Sequence, residues 1–506
     1  MVRARSEGPL NLASIIDQHP AESVALISRG EQTTYGELRH QVDGFRGGLV
    51  SLGLEPGDRV AIECGTNWYF VVSYLAVLGA GLVAVPLNPS NPTPEMQRAL
   101  QAAGARALIL GPAAKKAVRG LDRASLPDLE VVIASSGVDL DGVLSLDEVL
   151  ASDPAPVVDR ADDDLAVMLF TSGTAGSPKA AMLSHGNLRS NLEQIQQHPG
   201  RHQVASDVVL GVLPLFHIFG LNVVLGLTLY TGSRVVLIER FDPSSALEAV
   251  ERHEVTIISG APPMWAAWAG LPGANPAAMR SVRLAASGAA KLPVDVAQQI
   301  EDRFDLEVFE GYGLTETSPV VTIAAGTDAP RGSIGSALPG IEIRLVDAAG
   351  EDVYVGDSGE LLVRGPNVFK GYFNDPVATA AALDADGWLH TGDIAVVDDD
   401  GYLYLVDRAK DLIIVSGFNV YPAEVEDVVA AHPAVESVAV VGVPHPYSGE
   451  AVKAYVVLQD GLSAEEDDII AWCADRLARY KCPDKVMFVD ELPQGAAGKV
   501  LRRALR

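Results

Sequence analysis

The spacing of apolar residues predicts an alternation of helices and strands along most of the chain. Residues 34–37 (TYGE) match a helix capping box, and apolar residues follow at helical spacing as far as Gly53. Another helix is predicted at 68–78. Short apolar runs bounded by turn residues predict strands at 59–63, 82–85, 107–110, 131–134, 166–170, 235–238, 257–259 and 306–310. This alternation favours largely parallel sheets that helices cover on both faces.

The pattern changes beyond Ile334. Short strands punctuated by glycine (IEIRLVD, GELLVRG and GYLYLVD) predict a twisted antiparallel or barrel-like piece. A separate pattern follows, with a helix from Glu424, strands at 438–441 and 454–458, and a helix opened by a capping box at 463–466. In that last helix Ile469, Cys473, Leu477 and Tyr480 share a face, so this part can bury a core of its own.

These patterns together predict an α/β fold with two domains. Residues 1–407 form a large N-terminal domain of stacked, mostly parallel sheets with helices and a small barrel-like subdomain. Residues 408–506 form a small α+β domain. The apolar stretch 208–230 raises the alternative of a membrane span, but Pro214, His217 and Asn222 interrupt it. We therefore expect a buried strand, loop and helix there, and no integral membrane segment.

Composition limits the classes of partner. The formal charge of the 506-residue chain is −28, which disfavours binding to nucleic acid and to anionic lipid. An anionic substrate must then be met by local backbone N–H groups, by a few cations or by Mg²⁺. The three cysteines show no CxxC spacing, and residues 1–20 contain no apolar run of secretory length. We expect buried or inert thiols and a cytoplasmic protein.

The strongest chemical signal is the string TSGTAGSPK at 171–179, which directly follows a predicted strand. Its hydroxyl groups and two glycines leave backbone N–H groups available to surround phosphate oxygens, and Lys179 adds a cation. The spacing differs from GxxxxGK[ST], so the string does not support a P-loop enzyme. Taken alone, a solvated Ser/Gly loop is the alternative interpretation.

Further strings in chain order make the chain resemble the adenylate-forming superfamily of acyl-CoA synthetases, adenylation domains and luciferases. They are PLFHIFG, SGAAKLP, EGYGLTET, GWLHTGDI, VDRAKD, SGFNVYPAEVE and QGAAGKVLRR, and with the phosphate loop they recur in order along most of the chain. The resemblance implies an enzyme that uses ATP, Mg²⁺ and coenzyme A. It would convert a small carboxylic acid, fatty or aryl, into an acyl-adenylate and then an acyl-CoA thioester, releasing pyrophosphate and AMP.

The resemblance also assigns roles to residues. Phosphate contacts fall to Thr171, Ser172, Gly173, Thr174 and Lys179. Contacts to the rest of the nucleotide fall to Gly288, Ala289, Ala290, Glu310, Gly311, Tyr312, Gly313 and Thr315, with Tyr312 against the adenine. Glu316 and Thr174 are expected to hold Mg²⁺, and Asp393 and Arg408 to contact the ribose. Lys499 would be the adenylation lysine.

The remaining assignments concern the acyl group and coenzyme A. The resemblance gives His217 a role in positioning or gating the acid, and it places Ser416, Gly417 and Phe418 beside the pantetheine arm. Since similar enzymes use Lys499 and Gly417 in different steps, it implies rotation of the small domain about 407–410. Lys291 stands where proline is common in the family, and His445 where aspartate is frequent. A position of Lys291 near the nucleotide or the pocket mouth would influence the choice of substrate, and an exposed lysine without such a role is the alternative interpretation.

Three alternatives stay open. The acyl group could pass to a carrier-protein thiol, the reaction could stop at the adenylate, or the chain could be a catalytically silent nucleotide-binding protein. Retention of the assigned residues together argues against the last of these. The sequence also leaves open the oligomeric state, a homodimer included, and the preference for chain length or ring.

Overall fold

The structure is a computed structural model. It describes residues 11–505, except 116–117, 119, 139, 141, 172–178, 199–201, 409–410, 412, 416–417, 446–448, 478 and 495–499. The side chains of 407–408, 414, 418–419, 449 and 503 are also outside the description.

The chain divides into two compact units. The first runs as far as Arg331 and also includes Ala337–Glu342 and Val363–Leu389. The second consists of Gly332–Ser336, Ile343–Leu362 and the chain from His390 onward. The predicted domain boundary at 407/408 stays a prediction, because compactness alone does not identify the point about which a domain rotates.

The first unit contains two large sheets and the helices that pack on them. Its strands are β1 (Val24–Ser28), β2 (Glu31–Thr34), β3 (Arg59–Glu63), β4 (Val83–Pro86), β5 (Ala107–Leu110), β6 (Val131–Ala134), β7 (Leu144–Ser145), β8 (Leu165–Thr171), β9 (Lys179–Ser184), β10 (Val208–Gly211), β11 (Arg234–Leu237), β12 (Ile257–Gly260), β13 (Leu284–Ser287), β14 (Val308–Gly313) and β15 (Val320–Ile323), with β16 (Ser336–Ala337) at its border. Its helices are α1 (Tyr35–Ser51), α2 (Trp68–Gly79), α3 (Thr93–Ala103), α4 (Leu146–Leu150), α5 (His185–Gln197), α6 (Leu227–Thr231), α7 (Pro243–His253), α8 (Pro262–Ala269), α9 (Val294–Phe304) and α10 (Pro376–Ala382).

Among the described residues, one sheet has seven strands in the order β7-β6-β5-β3-β4-β8-β9, and the other has nine in the order β16-β15-β14-β13-β12-β10-β11-β1-β2. Strands β10 to β14 pair in parallel, as do β3 to β6, whereas β8 and β9 are antiparallel. Parallel strands of this kind are buried on both faces, which explains their continuous apolar sequences. The predicted α/β fold is confirmed.

Local sequence signals account for several of these elements. Thr34 and Glu37 form the predicted capping box, and α1 buries Leu38, Phe45 and Leu49 along one face. Strands β3, β5 and β6 have the predicted bounds. The stretch 208–230 contains β10, a loop, a buried π-helix at Phe219–Gly226 and most of α6. None of the described helices combines the length and the apolar character that crossing a membrane requires.

The second unit contains two smaller sheets. Its strands are β17 (Glu342–Val346), β18 (Ser358–Arg364), β19 (Leu389–Val397), β20 (Leu403–Arg408), β21 (Ile413–Val415), β22 (Phe418–Val420), β23 (Val435–His445), β24 (Gly449–Leu458) and β25 (Lys485–Phe488), and its helices are α11 (Pro422–Ala430) and α12 (Glu466–Ala474). The predicted barrel-like piece is a sheet in the order β17-β18-β19-β20, and β19 and β20 are antiparallel. In the C-terminal sheet β22-β21-β24-β23, the pairs β21/β22 and β23/β24 are antiparallel, and β25 pairs with β24.

One predicted helix start is wrong. Helix α12 begins at Glu466 with Glu465 as its N-cap, so Ser463 does not cap it, and it ends at Ala474. The carboxylate of Asp468 accepts a hydrogen bond from the backbone N–H of Glu465 at 2.9 Å, which is the role that the predicted capping box gave to the side chain of Glu466. Ile469 and Cys473 are buried in the core of this unit, and Leu477 and Tyr480 pack against that core from beyond the helix end.

Candidate active site

The ends of the predicted phosphate loop are held by a strand hairpin. Thr171 at the end of β8 lies directly opposite Lys179 at the start of β9, and the Thr171 hydroxyl donates to the Lys179 carbonyl at 3.4 Å. The residues between them, which include Ser172, Gly173 and Thr174, lie outside the described residues. The hairpin therefore fixes where the loop begins and ends, and it places Lys179 at its exit.

Lys179 and Glu316 meet at a tyrosine that the sequence analysis did not identify. The Tyr372 hydroxyl donates a hydrogen bond of 2.7 Å to Oε1 of Glu316. The ammonium of Lys179 lies 5.0 Å from the centroid of the Tyr372 ring, within the range of a cation–π interaction. Burial, followed by the charge of Glu316, raises the pKa of Tyr372, so its hydroxyl remains a donor at neutral pH.

Backbone hydrogen bonds hold this tyrosine in place. Tyr372 lies in residues 366–373, which we call the 366–373 segment. Phe373 N–H donates to the Ala180 carbonyl at 2.8 Å and Lys370 N–H to the Met182 carbonyl at 2.9 Å, so the segment lies along β9. Phe369 N–H donates to the Glu316 carbonyl at 2.8 Å. The segment is thus bonded both to the strand that begins with Lys179 and to the turn that carries Glu316.

The predicted nucleotide-contacting strings lie at one edge of the nine-stranded sheet. Ser287 at the end of β13 is in register with Glu310 on the parallel strand β14, so the residues that follow each lie toward the same edge of the sheet. Gly288 is buried, and a Cβ atom there would lie 3.0 Å from the Phe219 ring. Ala289 is exposed and has a left-handed φ of 71°, and Ala290 is also exposed.

Strand β14 continues through Gly311, Tyr312 and Gly313, and Thr315 and Glu316 then begin a short 3₁₀ turn. A Cβ at Gly313 would lie 2.0 Å from the Pro319 carbonyl oxygen, so only glycine fits at this point of the strand. Tyr312 is 8% exposed. The structure therefore brings the EGYGLTE string to the edge where β13 ends and then turns it toward Tyr372.

Glu310 is a half-buried carboxyl group beside this edge. Its Oε2 accepts a hydrogen bond of 2.9 Å from the Leu292 backbone N–H. Burial raises the pKa of Glu310, and the Leu292 bond and the charge of Lys291 partly oppose that shift. Lys291 itself is exposed.

His217 lies in the loop between β10 and the π-helix. Its backbone N–H donates to the Pro214 carbonyl at 3.1 Å, and its own carbonyl accepts from Leu221 N–H at 2.8 Å. Burial lowers the pKa of His217, and within the described part of the chain its Nε2 atom is buried without a partner. A neutral imidazole in apolar surroundings suits the positioning of a substrate better than charge stabilisation.

The second unit contains the remaining predicted residues. Asp393 on β19 lies directly opposite Arg408 on β20 in the antiparallel register, and Asp393 is 4% exposed. The adjacent Gly392 has a φ of 68°, and its N–H donates to Oε1 of Glu360 at 3.1 Å. Asp393 and Arg408, the two residues predicted to contact the ribose, are therefore neighbours on adjacent strands. Ser416, Gly417 and Lys499 lie outside the described residues, as does the side chain of Phe418 on β22.

Comparison with known families decides the membership of the chain. Residues 12–373 match the AMP-binding enzyme family, and residues 424–499 match the AMP-binding enzyme C-terminal domain. The chain belongs to the AMP-binding enzyme family. This confirms the predicted resemblance and the prediction that the protein is an enzyme of the AMP-forming acid–CoA ligase class.

Individual members cover almost the whole chain. A feruloyl-CoA synthase from Amycolatopsis sp is 40% identical over 96% of this chain and 95% of its own length. A long-chain-fatty-acid–CoA ligase from Bacillus subtilis is 34% identical over 96% and 91%. ATP-bound MatB from Rhodopseudomonas palustris has a TM-score of 0.89 at 33% identity, covering 98% of both chains. The anthranilate CoA ligase AuaEII in complex with anthranoyl-AMP has a TM-score of 0.91 at 27% identity, covering 98% and 97%.

The donor atoms of the site fit a magnesium ion that arrives with a nucleotide. Across the described residues, no group of three or more His, Cys, Asp or Glu side chains could hold a metal ion. Mg²⁺ is usually bound by one or two carboxylates together with substrate phosphates, so a complete protein cage is not required. Glu316 supplies a hard carboxylate oxygen at the Tyr372 hydroxyl, and the ring of the same tyrosine contacts Lys179, so one carboxylate is available for this mode of binding.

Proposed function

We propose that the protein is an ATP-dependent acid–CoA ligase that activates an apolar monocarboxylic acid as its acyl-adenylate and transfers the acyl group to the thiol of coenzyme A. The observation that carries this proposal is the meeting of Lys179 and Glu316 on Tyr372. One cation and one carboxylate thus contact the same tyrosine near the exit of the predicted phosphate loop. Mg·ATP needs both kinds of charge, because Mg²⁺ takes a carboxylate ligand and the phosphates take cations.

In the first half-reaction, a carboxylate oxygen of the acid bonds to the α-phosphorus and the bond to pyrophosphate breaks. The protein contributes placement and charge stabilisation, with Lys179 near the phosphates and Lys499 near the α-phosphorus. A bound Mg²⁺ would neutralise phosphate charge. In the second half-reaction, the coenzyme A thiolate attacks the acyl carbonyl and AMP leaves.

We further propose that residues 408–506 move as a small domain between these half-reactions, with 407–410 as the pivot. Lys499 would serve the first half-reaction, and Ser416, Gly417 and Phe418 would line the route of the pantetheine arm in the second. Asp393 and Arg408 would hold the ribose hydroxyl groups. The pairing of Asp393 with Arg408 across β19 and β20 supports the last of these roles.

For the acid we propose an aryl monocarboxylate, with a fatty acid as the second candidate. The feruloyl-CoA synthase at 40% identity and the enzyme crystallised with anthranoyl-AMP are named for aryl acids, whereas the fatty-acid ligase is 34% identical. The π-helix sequence FGLNVVLG carries no charged side chain, and its first residue, Phe219, packs against Gly288. If this helix lines the pocket for the acid, as we propose, its uncharged side chains favour an apolar acid over a dicarboxylate.

The test is acid-dependent exchange of pyrophosphate into ATP, followed by thioester formation, over short, medium, long and aromatic acids. We expect exchange with aryl acids, and a thioester that forms only when free coenzyme A is added. If exchange occurs but the acyl group is transferred to a carrier-protein thiol and not to free coenzyme A, the proposal that coenzyme A is the acceptor is wrong. Absence of exchange with every acid would contradict the proposal as a whole.

A further inference from the structure

Tyr372 contacts both charged groups of the candidate nucleotide site while carrying no charge itself. Its hydroxyl donates to Glu316 Oε1 at 2.7 Å, and its ring lies 5.0 Å from the Lys179 ammonium. A donor on one carboxylate oxygen fixes the direction in which the carboxylate faces. A ring face beneath an ammonium limits where that cation can move.

The surroundings hold Tyr372 against movement. Its backbone N–H donates to the Thr379 hydroxyl at 2.9 Å, and it forms an isolated antiparallel bridge with Ala181 on β9. The Phe369 ring packs edge-on against the Tyr372 ring at 5.0 Å. Because β9 begins at Lys179, this bridge ties the tyrosine to the same strand as the cation.

The other end of the 366–373 segment is tied to the turn that carries Glu316. The Asn367 side-chain amide donates to the Thr317 carbonyl at 2.7 Å, and the Ser318 hydroxyl donates to the Asn367 carbonyl at 2.9 Å. Asn187 at the start of α5 also donates to the carbonyls of Pro366 and Val368, both at 2.8 Å. The segment therefore sets the separation between the Glu316 turn and β9.

We infer that Tyr372 is a positioning residue that orients Glu316 toward Mg·ATP and holds Lys179 at the phosphates. This inference rests on the proposed function, since it takes ATP and Mg²⁺ as the ligands of the site. The Tyr372 hydroxyl acts through Glu316, and the Tyr372 ring acts through Lys179. Two substitutions separate the two actions, because phenylalanine keeps the ring and leucine keeps neither.

The experiment measures ATP binding by titration calorimetry over a range of Mg²⁺ concentrations, with no acid present. Tyr372→Phe should raise the Mg²⁺ concentration for half-maximal binding by about tenfold, since the lost hydrogen bond is to a charged group. ATP affinity at saturating Mg²⁺ should stay close to that of the wild type. Tyr372→Leu should show the same shift and also a lower ATP affinity at saturating Mg²⁺.

Tyr35→Phe is the matched control. The Tyr35 hydroxyl donates to the Ser233 carbonyl at 2.7 Å, and the residue is fully buried on α1. Loss of this hydrogen bond should lower the melting temperature and leave unchanged the Mg²⁺ midpoint, which is the Mg²⁺ concentration for half-maximal ATP binding. A wild-type midpoint in Tyr372→Phe, or an equal shift in Tyr35→Phe, would overturn the inference even if the wild type makes acyl-CoA. A wild type that binds no Mg·ATP would overturn the proposed function and the inference with it.

Discussion

Glu63, at the end of β3, is a carboxyl group in surroundings that oppose its ionisation. It is 0% exposed, and across the described residues neither of its carboxyl oxygens has a hydrogen-bond partner. Burial raises the pKa of Glu63 to about 8 from its usual 4.5. The folded protein therefore keeps Glu63 protonated at neutral pH, whereas the unfolded chain ionises it.

The consequence is a stability that falls as pH rises. Between pH 4.5 and 8 the folded state binds more protons at Glu63 than the unfolded state does, so each pH unit removes up to ~1.4 kcal/mol, and the loss levels off above pH 8. Glu63→Gln removes this dependence because the amide does not titrate. We expect the melting temperature of the variant, measured by calorimetry from pH 5 to 9, to fall less than that of the wild type. Parallel curves would contradict the prediction.

Single residues also show where sequence reasoning stops. Lys179 and Glu316 were identified because each lies in a string with a chemical pattern, and the structure brings both to Tyr372. Tyr372 itself carries no such pattern, since it lies 56 residues from Glu316 in the chain and is joined to it only by the tertiary fold. The string GYFND, in which Tyr372 lies, does not indicate that the tyrosine bonds to Glu316. The buried carboxyl of Glu63 is hidden in the same way, because a charged residue at a strand end normally indicates exposure.

At the scale of elements, local signals predicted the buried strands well and the helix ends less well. Strands β3, β5 and β6 have the predicted bounds because an apolar run between turn residues leaves few alternatives. The start of α12 was misplaced because Ser463 and Glu465, two positions apart, each have a side chain that can cap a helix. Such competition is settled by the direction in which the chain enters the helix, and tertiary packing sets that direction.

An ionic cluster joins the C-terminal tail to the rest of the second unit. Arg502 donates from Nη2 to Glu426 Oε2 at 2.6 Å and from Nε to Oε1 at 3.2 Å, and its Nη1 lies 3.4 Å from Asp411 Oδ2. Glu426 also accepts from the Val440 N–H at 2.7 Å. All three charged side chains are mostly buried, which strengthens their interaction.

This cluster follows directly on the Lys499 loop. Val500 forms a β-bridge with Gln494, and Leu501 N–H donates to the Pro493 carbonyl at 2.7 Å, so the described residues on each side of 495–499 are adjacent. Arg502 then connects this point to Asp411, the residue that follows the predicted pivot. We therefore expect rotation about the pivot to carry the Lys499 loop with it.

Arg502→Gln should weaken that connection. We expect acid-dependent pyrophosphate exchange to fall about tenfold, the equivalent of ~1.4 kcal/mol in the barrier, because Lys499 would no longer be held at a fixed distance from the pivot. Thioester formation from supplied acyl-adenylate should change much less, since the proposed mechanism gives Lys499 no part in that step.

Arg476→Gln is the control for the Arg502 experiment. Arg476 is an exposed arginine of the same unit that stacks on Trp472 at 3.4 Å. Its replacement should leave both half-reactions near their wild-type rates. Equal losses in both half-reactions of Arg502→Gln would indicate a general loss of folding in the second unit and would contradict the proposed connection.

At the scale of the whole molecule, the residues proposed for ATP binding and the lysine proposed for adenylation belong to different compact units. Lys179, Tyr372 and Glu316 belong to the first unit, whereas Lys499 lies in the part of the chain that forms the second. If the first unit binds Mg·ATP and the second supplies the adenylation lysine, binding and chemistry must be separable by mutation. Lys499→Ala should abolish acid-dependent pyrophosphate exchange and leave ATP binding largely intact, because the charge it removes acts on the α-phosphate during bond formation.

The same variant distinguishes a moving domain from a fixed one. When acyl-adenylate is supplied, Lys499→Ala should still form acyl-CoA at close to the wild-type rate, because the proposed mechanism assigns the second half-reaction to Ser416 and Gly417 and gives the lysine no part in it. Rapid-quench measurement of thioester from added adenylate checks this directly. If Lys499→Ala lost both half-reactions in equal measure, one fixed arrangement would serve both steps, and rotation about 407–410 would have no part in the mechanism.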